Sequence, residues 1–160
     1  GTYARDKDAI VASMLVCELA ASLKNEGRTI LDALNDVYKT YGIYLANVQS
    51  LELTGADAME KAAKLMADLR SSIPATIGGA PVTCVKDYLT REQRDMVSGE
   101  VTPILLPKSN VLEFILGDSG SVIVRPSGTE PKVKFYYTAV ASTEEDAQSL
   151  LNAMKKQMSN

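Results

Sequence analysis

Between two apolar stretches, the run Arg125-Pro126-Ser127-Gly128-Thr129-Glu130-Pro131-Lys132 collects the groups that hold an anion. Arg125 supplies a planar two-pronged donor, Ser127 and Thr129 supply short hydroxyls, and Gly128 supplies a bare backbone amide that an oxygen can approach closely. Together these are the donors a phosphate dianion needs. Pro126 and Pro131 each fix φ near about −65° and restrict the residue before them, so the loop is partly ordered before any ligand arrives. A plain hairpin turn draws on the same small residues. Such a turn, however, takes only about two to five loop residues and no arginine, whereas all of positions 125–132 lie between Val124 and Val133. The run therefore reads as a phosphate clamp. Lys132, just past the Pro131 kink, either turns back toward the phosphate as a point charge or stays a solvated lysine. Lys134, next along an alternating strand, is expected to face solvent.

Other chemistry is excluded by residue type. The chain of 160 residues contains no histidine, which removes Ser-His and Cys-His nucleophilic pairs and the commonest zinc ligand. Asp6-Lys7-Asp8 brings two carboxylates around a cation, too few hard oxygen ligands for Mg²⁺ or Ca²⁺, and helix capping accounts for it better. Seventeen basic and twenty acidic residues give a net charge of −3, which argues against nonspecific nucleic-acid binding while leaving room for a local basic pocket. No apolar run approaches the ~20 residues of a membrane span and no signal segment opens the chain. Cys17, in an apolar helical pattern, and Cys84, in a strand pattern, suit buried free thiols of a reducing compartment, so a cytoplasmic location is expected.

The elements that must position the clamp follow from periodicity. Ile10, Val11, Met14, Leu15 and Leu19 recur at helical spacing, which predicts a helix from about Asp8 to Asn25 ending at Gly27. Thr29 with Asp32 forms a capping-box start for a second helix over Ile30 to Tyr41, stopped by Gly42. Ile43 to Leu53 reads as extended, and this α-α-β unit is too small to own a core. From Thr54 onward a helix to about Ser71 is followed by a strand from about Pro81 to Tyr88, a polar loop with Arg91, Arg94, Gly99 and Pro103, and strands over Val111 to Leu116, Ser121 to Val124 and Val133 to Val140. Ser142 and Glu145 then cap a last helix to about Met158. The expected fold class is α+β: a four-stranded antiparallel sheet with two helices on one face and the clamp at a rim. The domains are expected at residues 1–53 and 54–160.

The segment from Val124 to Tyr136 closely resembles the phosphate-binding loop in the last domain of the α-D-phosphohexomutases, the phosphoglucomutase and phosphomannomutase group. Gly1-Thr2-Tyr3-Ala4-Arg5-Asp6-Lys7-Asp8-Ala9 resembles the stretch that, in the phosphoglucomutase-like branch, follows the sugar-selecting loop of the third domain. The two matches stand in the right order and frame nearly the whole chain. The resemblance implies that residues 1–53 are the tail of a third domain and that 54–160 form a TATA-box-binding-protein-like C-terminal domain.

In that family a phosphoserine gives its phosphoryl to a sugar monophosphate, the sugar bisphosphate turns end for end, and the serine recovers the other phosphoryl, interconverting hexose 1-phosphate and hexose 6-phosphate. The resemblance assigns Arg125, Ser127, Gly128, Thr129 and, with the alternatives above, Lys132 to holding the nonreacting phosphate of the phosphosugar substrate. Arg5 and Lys7 match a basic pair that in the family sits beside the sugar site; the other reading is the polarity of a helix start. The phosphoserine, the Mg²⁺ loop and the sugar loop have no counterpart in this sequence, so no catalytic or metal-binding residue is expected in it. A fragment, inactive alone and dependent on upstream domains, is the expectation. The other reading is a stand-alone phosphate- or sugar-phosphate-binding module without enzymatic activity.

Overall fold

The computed structural model describes residues 4, 6–128 and 130–158. Arg5 and Thr129 of the expected site lie outside the described residues. The chain forms two compact units, residues 1–42 and 43–160.

The first unit is a pair of helices, α1 (Ala9–Asn25) and α2 (Ile30–Tyr41). Their starts follow the predicted chemistry. Asp8 Oδ1 accepts from the Ile10 and Val11 amides at 3.0 Å each, and Thr29 with Asp32 forms a reciprocal capping box, satisfying amides that a helix leaves without partners. Asp32 is held below the usual carboxylate range by the hydroxyl and amide of Thr29. Among the described residues of this unit Leu23 alone is buried, while Ile10, Met14, Leu15, Leu31 and Val37 are exposed. A pair of helices cannot cover its own apolar stripes, as expected for an element that lacks a core. Cys17 shares this fate: it is exposed, not buried as its apolar surroundings in the sequence suggested.

The second unit carries an antiparallel sheet. Its strands are β1 (Ile43–Glu52), β4 (Cys84–Asp87), β5 (Glu92–Asp95), β6 (Val101–Pro103), β7 (Leu112–Ile115), β8 (Gly120–Pro126) and β9 (Lys132–Ala141), in the order β1-β9-β8-β7-β4-β5-β6. A two-stranded ribbon, β2 (Thr76–Ile77) with β3 (Ala80–Pro81), stands apart from it. Helices α3 (Ala58–Ser71) and α4 (Glu144–Met158) pack on one sheet face. There Ala62, Met66, Leu151 and Met154 meet Phe114, Val122, Val124, Val133 and Phe135 in one core. Each such large side chain removed from water contributes roughly 1.5–3 kcal/mol.

The α+β class with two helices on one face is as expected, but the sheet is wider than four strands. Two misreadings explain the difference. First, the boundary expected near Leu53 cuts through residues that the structure joins: Ile43–Glu52 pairs with β9 along its whole length, from Ile43 opposite Ala141 to Glu52 opposite Lys132. Secondly, the expected polar loop after Tyr88 is the β5–β6 hairpin. Glu92-Gln93-Arg94-Asp95 lacks the alternating apolar pattern that marks a half-buried strand. Its pairing rests on backbone hydrogen bonds and on a turn in which Asp95 Oδ1 accepts from the Val97 and Ser98 amides at 2.9 and 2.7 Å.

The last helix is capped one residue later than predicted. Thr143 Oγ1 accepts from the Asp146 amide at 3.1 Å and donates to Asp146 Oδ2 at 2.7 Å. Both Ser142-x-x-Glu145 and Thr143-x-x-Asp146 fit the capping pattern, and the extent of β9, to Ala141, selects the second.

Candidate anion site

β8 and β9 are neighbours in the sheet, and the clamp is the loop joining them. Its neck closes through backbone bonds: the Ser127 amide donates to the Lys132 carbonyl at 2.8 Å, and the Lys132 amide donates to the Glu130 carbonyl at 2.7 Å. The Ser127 hydroxyl oxygen accepts from the Glu130 amide at 3.3 Å. That bond uses the oxygen as acceptor and leaves the O–H proton free to donate outward.

Arg125, Pro126, Ser127 and Gly128 line one side of a cavity of about 500 Å³. Ser109, Asn110 and Val111, just before β7, line another side, and Met59, Ala62 and Ala63 of α3 form an apolar wall. Arg125 is exposed and forms no ion pair among the described residues. Gly128 is exposed, and a Cβ built on it would meet no atom within 4 Å. The structure thus brings Arg125, Ser127 and Gly128 to the lining of one cavity.

Lys132 is placed differently. Its ammonium pairs with the Glu130 carboxylate, and both residues line a neighbouring cavity with Glu52, Leu53, Thr54 and Pro131. The hydrogen bond from Lys132, its charge and that of Lys134 hold the Glu130 carboxyl below its ordinary range. Lys7 belongs to the first unit, where its ammonium and amide both donate to Asp6 Oδ1 at 2.7 Å. Asp6 and Asp8 are consumed by these local bonds, and the described residues contain no group of three or more metal-ligating side chains.

Lys134 is the residue that sequence reasoning undervalued. It does not stand alone in solvent but is partly buried and lies directly across from Arg125 in the β8–β9 register. The signal was available in principle: a loop closed at Ser127 and Lys132 sets the register of both flanking strands.

A second cluster adjoins the site. Arg70 Nε donates to Asp87 Oδ2 at 2.9 Å and Arg70 Nη2 to Asn110 Oδ1 at 2.6 Å, tying the end of α3 to β4 and to the strand entry beside the cavity. Neither Arg70 nor Asn110 carries a sequence signal, because the bonds join positions far apart in the chain.

With this geometry in view, comparisons with known proteins are specific. A family model described as "Phosphoglucomutase/phosphomannomutase, C-terminal domain" matches residues 45–156. The chain is 37% identical over 152 residues to a phosphoglucomutase of Staphylococcus aureus, covering 95% of this chain and 27% of that protein. It is 37% identical over 134 residues to the phosphoglucomutase of Staphylococcus epidermidis, covering 84% of this chain and 24% of that one. In fold it is similar to the open form of pp63/parafusin, a phosphoglucomutase from Paramecium, with a TM-score of 0.64 at 18% identity over 99% of this chain and 28% of the other. The chain spans about a quarter of the length of the curated relatives it matches.

Proposed function

The chain belongs to the phosphoglucomutase/phosphomannomutase family, and from that premise we propose that its clamp holds the nonreacting phosphate of a phosphosugar while other domains of the full-length enzyme exchange the reacting one. The observation that carries this reading is the convergence of Arg125, Ser127 and Gly128 on one cavity, with Arg125 uncommitted to any carboxylate of the described residues. An arginine fork, a hydroxyl and an open amide match the oxygens of a phosphate without a step of bond making. Thr129 adds a second hydroxyl in this proposal, and Lys132 adds charge when its pair with Glu130 opens.

The reaction proposed for the whole protein interconverts hexose 1-phosphate and hexose 6-phosphate by way of a sugar bisphosphate. The sugar must be bound in two orientations, since each of its ends reacts in turn. A clamp that recognises only phosphate geometry serves both orientations, because it ignores the sugar carbon that carries the group. Its contribution is positioning: remote binding energy holds the reacting end in line. In the whole enzyme Mg²⁺ would polarise the transferred phosphoryl. The residues described here do not fit that ion, since Asp6 and Asp8 are engaged by Lys7 and by the start of α1. The proposal therefore assigns the ion, like the phosphoryl carrier, to the rest of the protein. Arg5 and Lys7 are proposed as contacts beside the sugar there, and residues 1–42 as the tail of the preceding domain. A cytoplasmic location is part of the same proposal; among the described residues no helix is long and apolar enough to cross a membrane.

The test is a coupled mutase assay on glucose 1-phosphate with a sugar bisphosphate activator. The chain alone should show no turnover. In the full-length protein Arg125→Lys should lower kcat/KM roughly tenfold to a hundredfold, the value of one charge-assisted hydrogen bond of about 1.5–3 kcal/mol. Turnover by the chain alone, or a neutral Arg125→Lys, would refute the assignment.

A further inference from the structure

Arg125, Lys132 and Lys134 share one face of the sheet, and a carboxylate of the clamp's own loop holds one of them. Val124, Val133 and Phe135 pack in the core. Side chains alternate along a strand, so the neighbours Arg125, Lys132 and Lys134 stand on the other face. Lys134 is opposite Arg125, and Pro126 is opposite Val133. Continuing that register sets Ser127 opposite Lys132, where the Ser127 amide donates to the Lys132 carbonyl at 2.8 Å. Directly opposed residues have Cβ atoms about 4.5–5.5 Å apart, so the Lys132 side chain has the length to meet an anion held at Ser127.

Its ammonium is instead paired with the Glu130 carboxylate. Glu52 stands opposite Lys132 on β1, yet it is the loop residue that takes the charge. The backbones of both partners are fixed: the Lys132 amide donates to the Glu130 carbonyl at 2.7 Å, and the Glu130 amide donates to the Ser127 hydroxyl oxygen at 3.3 Å. Only the side chains are free to change partner, and the Glu130 side chain is 57% exposed. The Glu130 carboxyl is held below its ordinary range first by the bond and charge of Lys132 and then by the charge of Lys134. The carboxylate therefore lies in the field of both lysines of the Arg125 face.

We infer that Glu130 is an internal competitor of the ligand phosphate: its carboxylate holds Lys132 until a phosphate at the clamp takes that ammonium over, and reclaims it when the phosphate leaves. This rests on the reading of the clamp given above and adds the residue that sets how tightly the clamp grips. Exchanging one charged partner for another gains less than capturing a free ammonium, because the Lys132–Glu130 pair is given up. A moderated grip suits the reaction proposed here. The clamp has to release one phosphate and accept the other within each cycle, and binding that is too tight slows that turn.

The test is a nuclear magnetic resonance titration of this chain with inorganic phosphate at constant ionic strength, following the Glu130 side-chain carboxyl carbon and the Gly128 backbone amide. In the wild type both signals should move along one saturation curve. Glu130→Gln keeps the size of the side chain and the backbone bonds of the neck, and should lower the phosphate Kd roughly threefold to tenfold. In a Lys132→Ala background the same substitution should change Kd by less than about twofold, since no ammonium is left to release. The wild-type carboxyl signal answers the question even if a variant folds poorly. Movement of Gly128 with a still Glu130 carboxyl and a Kd that Glu130→Gln leaves unchanged or raises would overturn the inference and leave the clamp standing. An equal gain with and without Lys132 would overturn it too, by showing a diffuse field in place of a hand-over. A Gly128 amide that stays still in the wild type would overturn both the inference and the clamp.

Discussion

Lys134 stands directly opposite Arg125 on the β8–β9 ladder, so two cations project from the same side of one rung. Directly opposed side chains in an antiparallel pair have Cβ atoms about 4.5–5.5 Å apart, and like charges there repel. An anion between or beside them turns that repulsion into attraction. Lys134→Ala should therefore have effects of opposite sign: the ligand-free chain gains up to about 1 kcal/mol of stability, while phosphate affinity falls roughly threefold to tenfold. Thermal unfolding with and without phosphate checks both. A variant that loses stability and keeps its affinity would show that Lys134 serves the fold alone.

Gly128 gives a cleaner separation of folding from binding. Because a Cβ there meets nothing within 4 Å in the free protein, Gly128→Ala should leave stability within about 0.5 kcal/mol of the wild type. In the proposed clamp the added methyl crowds the oxygen that approaches the amide, and phosphate binding should weaken about tenfold or more. Equal affinity for the two proteins, measured by titration, would remove the Gly128 amide from the site.

Gly120 should behave in the opposite way. A Cβ at this position would lie 1.9 Å from the Thr138 carbonyl oxygen, and its φ of +121° is one that L side chains rarely adopt. Gly120→Ala must push β8 from β9 at the end of the ladder remote from the clamp, and should cost about 3 kcal/mol or more in chemical denaturation. An Ala variant as stable as the wild type would mean that the two strands do not approach as closely as described.

Stability should also fall in base. Burial pushes the Tyr137 phenol up to about 12, and burial, with the hydrogen bond to Glu113, does the same for Tyr88. The unfolded chain releases these protons near pH about 10 and the folded chain retains them until about pH 12. The native state then binds more protons than the unfolded one across that window, so unfolding becomes easier as pH rises through it and the contribution is complete below it. Urea midpoints measured between pH 9 and pH 12 should fall, and Tyr137→Phe should reduce the slope. An equal slope in that variant would place the titration elsewhere.

Much of this arrangement was readable in the sequence, because the relevant forces are local. The Thr29–Asp32 cap, the helix from Ile30 to Tyr41 and the clamp between two apolar strands each follow from residues within a few positions of one another. The width of the sheet was not, since nothing near Ile43–Glu52 says which strand it pairs with, and its partner lies some ninety positions on. The same holds for Asn110: only the fold brings Arg70 to it. Lys134 is the intermediate case, read as a solvent-facing strand residue until the register placed Arg125 beside it.

The most direct test of the central claim is the binding of glucose 6-phosphate and of glucose to this chain and to Arg125→Ala, followed through backbone amide shifts. The wild type should bind glucose 6-phosphate in the millimolar range, near the roughly 4 kcal/mol that one charged fork and a few hydrogen bonds supply. The first shifts should come at Ser127 and Gly128, glucose should move neither, and Arg125→Ala should abolish the response. Equal binding of glucose, an undiminished response in Arg125→Ala, or strongest shifts near Arg91 and Arg94 would contradict the account.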